Sequence, residues 1–480
     1  MFKLKKSPGI PRERLPFAYL AAAGIIEFLF IVVESCFSYL PYYLAETWII
    51  APCLLFLGYA LQQELSDFAR RRLLLAGAAV GWFFVVQCIH KLSGMENHPM
   101  ATVLFVYLMA FPFAAVSDDR EYKGLWWIGG MFVVSSLILV FYTVILMLGL
   151  VPEALWDNLY WDGARLHAFW HPNIAASYFM IGIGFSGAFC VMTQKKSVKY
   201  LLMAAIAAQL AAMALTNCRT TLLLTGAMLG GLLFFLIFKG GWKQFVLGIA
   251  VAAVVLVGTF KVSGVLYRWN NDRLVAASVA YQETVEPAEE IAVQQDEPEQ
   301  TGIQVVLLSD VVMTEVEPQQ NTEILQGENQ QGTLANDMRT LNGRTYIWKS
   351  ALNAIRDNKK LALWGTEYVG TVISVYNFFE VVHSHNSWIE ALMRMGLPGL
   401  MMSLVFTVLS VWSAARLILS RRTELWKKVI AMLTMCVMAA GFLEPYLFIT
   451  NVYYHVTDFA FFFLTGYLDY WCRPGTRQKT

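Results

Sequence analysis

Two histidines, an amide and an ion pair crowd into His383-Ser-His-Asn-Ser-Trp-Ile-Glu390, with Arg394 four residues further on. A neutral imidazole near pH 7 can take a proton from an attacking hydroxyl, so His385 is a candidate general base; it could equally cap a short helix. From Ser387 the spacing is helical. Trp388, Leu392 and Met395 share one stripe, Glu390 and Arg394 pair at i,i+4, and Ser384, Asn386 and Ser387 are all suitable N-caps. Gly396 with Pro398-Gly399 should break or re-aim that helix before the apolar run Leu400–Val411 continues. His383-x-His385 offers a metal two ligands with no acidic partner at a useful spacing, so no metal is expected.

Two arginines join this stretch. Arg219 lies in Leu215-Thr-Asn-Cys-Arg-Thr-Thr221, a very short link between two apolar runs. So tethered, it either snorkels to lipid headgroups or faces a polar cavity. Arg344, in Asn342-Gly-Arg-Thr-Tyr-Ile-Trp348, stands where a helix should start. Free backbone N–H groups and a planar guanidinium both suit an anion there, although a solvent-facing arginine is the plainer reading. Arg165-Leu-His-Ala-Phe-Trp-His-Pro-Asn173 fits an interfacial aromatic belt, and Arg165, His167, His171 and Asn173 within it form a polar cluster. Glu27 and Glu34, seven apart on one helical face, either mark a proton path or pair inside a bundle.

The elements that must position these residues are membrane helices. Hydrophobic residues make up 57% of the chain and charged ones 15%, against about 25% in soluble domains. Mean hydropathy is +0.50. A net charge of +1, with no basic run or zinc spacing, gives no reason to expect nucleic acid. The seven cysteines are scattered without a CxxC and read as buried small hydrophobes. The fold class expected is all-α: a polytopic integral membrane protein with about 12 transmembrane helices of roughly 20 residues each. They are placed near 16–38, 44–62, 73–90, 100–116, 125–149, 173–193, 200–216, 221–238, 244–262, 397–419, 429–449 and 457–472. The first is read as a retained span, not a cleaved signal.

With the N-terminus inside, inward segments hold 23 of the 36 Lys and Arg, which favours cytoplasmic N- and C-termini. The same topology puts all seven histidines at or beyond the outer ends of spans. The chain divides into helices 1–9 over residues 1–262, one extracytoplasmic loop over 263–387, and a loop-closing helix with the last three spans over 388–480. Within the loop, Gln282–Asp337 holds thirteen acidic residues and no Lys or Arg, and reads as an unstructured insert. Helical periodicity resumes over Arg339–Asn358.

His385-Asn386 followed after nine residues by Gly396-x-x-Gly399 resembles the signature of the O-antigen ligase and O-antigen polymerase superfamily. These are bacterial membrane enzymes that move glycans off a polyprenyl-pyrophosphate carrier. Three further elements resemble that family in order. They are Arg165…His171-Pro-Asn173, with His171 in place of the usual first Asn; Arg219 with Leu223; and Gly343-Arg344-x-x-x-Trp348. The acidic insert has no counterpart in it.

The resemblance implies a metal-independent glycosyltransferase without cofactors, in the bacterial cytoplasmic (inner) membrane, with its active site outside. Arg219 and Arg344 would bind the donor pyrophosphate and His385 would activate the acceptor hydroxyl. Arg165, His171, Asn173, His383, Asn386 and Glu390 would support them. The partners implied are a polyprenyl-pyrophosphate-linked glycan, a glycan, lipid or wall acceptor, and membrane lipids. A repeat-unit polymerase of the same superfamily and a protein-glycosylating relative are alternatives of one class. A transporter or flippase of lipid-linked sugars, expected to show two related halves and charged midplane helices, is the alternative from another.

Overall fold

The computed structural model describes residues 15–37, 67–95, 111–116, 122–147, 172–284, 343–377, 381–448 and 455–472, with isolated residues between and two two-residue strands. The helices are α1 Leu15–Phe37, α2 Asp67–Leu92, α3 Phe111–Ala115, α4 Lys123–Met147, α5 Pro172–Met192, α6 Lys196–Leu215, α7 Arg219–Ile237 and α8 Trp242–Thr284. They continue as α9 Arg344–Asp357, α10 Lys359–Trp364, α11 Val369–Val375, α12 Ser387–Leu419, α13 Leu425–Ala440 and α14 His455–Trp471. β1 Tyr160–Trp161 pairs antiparallel with β2 Arg165–Leu166.

Among the described residues, seven helices (α2, α4, α5, α6, α7, α8 and α12) are long and apolar enough to cross a bilayer. The chain is therefore a multi-pass helical membrane protein. The expected spans at 44–62 and 100–116 fall largely outside the described residues. Helix α13 ends at Ala440, nine residues before the expected limit at 449, because the chain turns at Gly441–Glu444 ahead of Pro445.

Helix α5 is the centre of the bundle, buried along almost its whole length from Pro172 to Phe189. It packs against α4, α6, α7, α13 and α14. Small residues permit that crowding, since helices in lipid gain stability from close van der Waals contact. A Cβ on Gly182 would stand 2.2 Å from Ser136 Oγ, and one on Gly184 would stand 2.6 Å from a Leu433 methyl. Helix α8 is unlike its neighbours. It runs 43 residues, from Trp242 to Thr284.

Chain direction alternates, so the starts of α5, α7, α12 and α14 and the ends of α2, α6 and α13 lie at one end of the bundle. The far end is fastened by Arg72, which is buried. Its guanidinium donates to Phe113 O (2.9 Å), Gly466 O (2.6 Å) and Asp469 Oδ2 (2.8 Å), joining α2, α3 and α14. The elements after Gly343 have a small core of their own. Ile347, Ala351, Ala354, Leu361, Val369, Ile373, Val381 and Met393 hold α9, α10 and α11 onto the first turns of α12.

Candidate functional site

The site gathers where helices begin. Arg219 is the first residue of α7, after a three-residue link in which Asn217 has φ +49°. Arg344 is the first residue of α9, after Gly343 at φ +79°. Neither helix has a side-chain N-cap, so the first-turn N–H groups of both lack the usual capping oxygen. Both arginines line one cleft of about 280 Å³, with Asn173, Asn217, Thr220, Thr221, Glu444 and Tyr446 among its other walls. One water needs roughly 10–15 Å³ of such space, so the cleft is ample for a diphosphate-sized group. Two guanidiniums and two helix N-termini border it, with the Glu444 carboxylate in the same wall.

Glu444 joins that cleft to the histidine loop. Its Oε1 accepts from Asn173 Nδ2 (2.7 Å) and from Arg344 Nη2, and its Oε2 meets His385 Nδ1 at 3.2 Å. Burial alone would raise the Glu444 carboxyl. The hydrogen bond and charge of His385, with Arg344 and His383, outweigh it and hold the group down at about 2. A carboxylate in that state only accepts, so a proton of His385 belongs on Nδ1, and in the neutral ring Nε2 carries the free lone pair. His385 lies beside the cleft, not in its wall; its side chain is 32% exposed. Glu444 itself, held so low, is a poor proton acceptor at neutral pH.

His385 is locked by its neighbours. Its backbone is left-handed at φ +51°, and its N–H donates to His383 Nδ1 (3.3 Å), the two rings lying 4.1 Å apart. Burial and the neighbouring His385 push the His383 imidazole down to about 4, so that ring stays neutral and accepts. Asn386 is the N-cap of α12: its Oδ1 accepts from Trp388 N and Ile389 N, both at 3.0 Å. Its Nδ2 donates to Phe442 O (3.0 Å). Ser387 Oγ donates to Glu444 O (3.1 Å) and accepts from Leu447 N (2.9 Å). The 383–387 and 441–447 segments are thus sewn edge to edge. Glu390, fully buried, accepts from Ser384 N (2.8 Å) and Arg394 Nε (2.9 Å).

The break expected after Met395 is present. Gly396 adopts φ +69°, ψ −170°, and α12 divides there into a short helix carrying Glu390 and a long membrane helix. Gly365 has nearly the same geometry, φ +71°, ψ −163°. The two glycines let backbones touch: a Cβ on Gly396 would lie 2.0 Å from Leu363 O, and one on Gly365 would lie 2.3 Å from Arg394 O. Thr366 N donates to Met393 O (2.7 Å), and Trp82 of α2 stacks on Trp364 at 5.4 Å while its Nε1 donates to Met395 O (2.9 Å).

Of the residues singled out in the sequence, Arg219, Arg344 and Asn173 line the cleft, and His385 reaches it through Glu444. His383, Asn386 and Glu390 brace the loop. The backbone of Arg165 lies in β2, its side chain is outside the described residues, and His171 is wholly outside them. Sequence reading missed Glu444, hidden in what passed for a span. Its signal was an acid followed by Pro445 inside an apolar run. Glu27, singled out with Glu34 in the sequence, is buried, as are Asp119, Glu390, Glu444 and Asp458. Tyr107 donates to Glu27 Oε1 at 2.8 Å, and the Glu34 side chain is outside the described residues.

Residues 202–404 match the family model described as O-antigen ligase, so the resemblance carried by the motifs holds over that stretch. It covers Arg219, Arg344, His383, His385, Asn386 and Glu390. A comparison with curated proteins finds no match.

Proposed function

We propose that this O-antigen ligase-like chain transfers a glycan from a polyprenyl-pyrophosphate carrier to an acceptor hydroxyl, at the outer face of the bacterial cytoplasmic membrane. The observation that carries it is the cleft. Arg219 and Arg344 open two different helices and face one space, and the histidine of the motif is one carboxylate away. In this reading the donor's pyrophosphate lies between the N-termini of α7 and α9. There the arginines and first-turn N–H groups stabilise the charge that grows on the leaving group.

His385 Nε2 takes the proton of the acceptor hydroxyl. The acceptor oxygen bonds to the anomeric carbon as that carbon's bond to the phosphate oxygen breaks, and polyprenyl pyrophosphate leaves with the electron pair. The linkage energy is already in the donor, and the arginines supply the charge stabilisation, so the scheme calls for no nucleotide and no metal. With about twelve spans, cytoplasmic termini and residues 263–387 outside, as the charge distribution of the sequence favours, these groups would lie on the required side.

The test is the lipid-linked glycan pool of the source strain lacking the protein, complemented with wild type or His385→Ala. Long carrier-linked chains that only wild type clears would support a ligase. Single repeats that only wild type clears would support a repeat-unit polymerase. Equal rescue by His385→Ala would remove the catalytic assignment and favour a transporter or scaffold.

A further inference from the structure

The cleft and the base share one group. Glu444 offers Oε1 to Arg344 and Asn173 and Oε2 to His385. Its backbone is fixed, the N–H donating to Ala440 O (3.1 Å) and the C=O accepting from Ser387 Oγ (3.1 Å), and Asn173 and His385 hold the two carboxylate oxygens besides Arg344. Arg344 is placed differently. Its guanidinium ends a long side chain on the first residue of α9 and borders the cleft. Its Nε is buried with no hydrogen-bond partner among the described residues. A phosphate entering the cleft would meet donors already lent to Glu444.

We infer that Glu444 is a positioning residue that couples donor binding to the base: the donor phosphate draws Arg344 off Oε1, and the carboxylate left behind serves His385. The inference rests on the pyrophosphate reading of the cleft. Asn173 stays on Oε1, so the buried carboxylate is never orphaned. With the guanidinium turned to phosphate, the carboxylate's charge acts on the His385 imidazole with less opposition, and the ring holds a proton more firmly.

The other groups near His385 are His383 on its own loop, Glu390 paired with Arg394 on α12, Tyr446 beside Glu444, and Arg219 across the cleft. None of them bridges both sites as Glu444 does. His385 Nε2 thus becomes the stronger acceptor for the hydroxyl proton only when a donor is loaded. Activation of the acceptor then follows binding of the donor, and a base on an empty enzyme is kept weak.

The experiment uses the full chain in detergent or lipid discs, with sugar-free polyprenyl pyrophosphate as the binding probe. Glu444→Gln keeps the shape and an acceptor oxygen but releases Arg344. It should bind the probe about fivefold or more tighter than wild type, the lower range for coupled sites. That gain should vanish in an Arg344→Ala background. Transfer by Glu444→Gln should fall about 100-fold or more, as when a general base is disabled. Weaker or unchanged binding by Glu444→Gln would overturn the inference, because a brace for the loop would loosen both sites. If Arg219→Ala and Arg344→Ala bind the probe as well as wild type, the pyrophosphate reading itself fails.

Should Glu444→Gln not fold, wild type still decides. The rise of kcat with pH, at saturating donor, should lie at higher pH than the rise of kcat/KM for the donor, which reports the free enzyme. Coincident limbs would overturn the coupling.

Discussion

Gly396→Ala should be among the most damaging single-methyl changes in the chain. At φ +69°, ψ −170°, only glycine is at ease, and alanine there costs about 1–3 kcal/mol. The new Cβ would lie 2.0 Å from Leu363 O, a backbone atom. That strand of chain cannot retreat: Trp364 is stacked on Trp82, its carbonyl meets His90 Nε2 at 3.1 Å, and Gly365 N bonds to Leu361 O at 2.9 Å. Overpacking of that kind adds about 1–3 kcal/mol. The sum, about 2–6 kcal/mol, compares with a typical net stability of 5–15 kcal/mol.

The site should suffer beyond the stability loss, because the short helix before Gly396 begins next to His385. The assay is thermal unfolding of the purified protein followed by tryptophan fluorescence, alongside turnover of lipid-linked glycan. Gly81→Ala is the control. Nothing lies within 4 Å of a Cβ there, and alanine favours a helix interior, so it should melt at or above wild type. A Gly396→Ala protein that melts with wild type and turns over normally would refute the account of this junction.

Asn386→Ala should cost about 1–2 kcal/mol through the lost cap, while Asn386→Asp should keep the cap and lose only the bond to Phe442 O; melting curves of the pair separate the two contributions. Arg219→Ala should weaken binding of polyprenyl pyrophosphate about 10- to 100-fold, the worth of one charged hydrogen bond, with Arg219→Lys falling between, as titration of the probe will show. Acid should loosen the junction in two stages, read as melting temperature from neutrality downward. The His383 ring, at about 4 when folded against an ordinary 6.5, favours the folded form fully above 6.5 and loses that contribution as pH falls through 4. Glu444, at about 2 against 4.5, gives its share above 4.5 and loses it as pH falls through 2. A flat curve between pH 6.5 and 4 would contradict the buried, neutral His383.

Local rules were legible in the sequence, and long-range partnerships were not. The break at Gly396, the cap by Asn386 and the Glu390–Arg394 pair all follow from neighbours within a few residues. Helices announced themselves by runs of apolar residues, but hydropathy does not tell a lipid-facing helix from a central one. The position of α5 depends on glycines whose partners, Ser136 and Leu433, are remote in the chain. Glu444 shows the same limit sharply. Its partners lie 59, 100 and 271 residues away, so nothing near it in the sequence hints at Asn173, Arg344 or His385. The arginines could be singled out because their surroundings, a tight link and a helix start, are themselves local.

The length of α8 carries a further consequence, one of reach. At 1.5 Å per residue its 43 residues measure about 64 Å, roughly twice the thickness of a bilayer's hydrocarbon layer. It ends at Thr284. From there 58 residues lead back to Gly343, a contour of about 190 Å if drawn out. That contour is about three times the length of α8 itself, and α9, which Arg344 opens, is held by the small core beyond it.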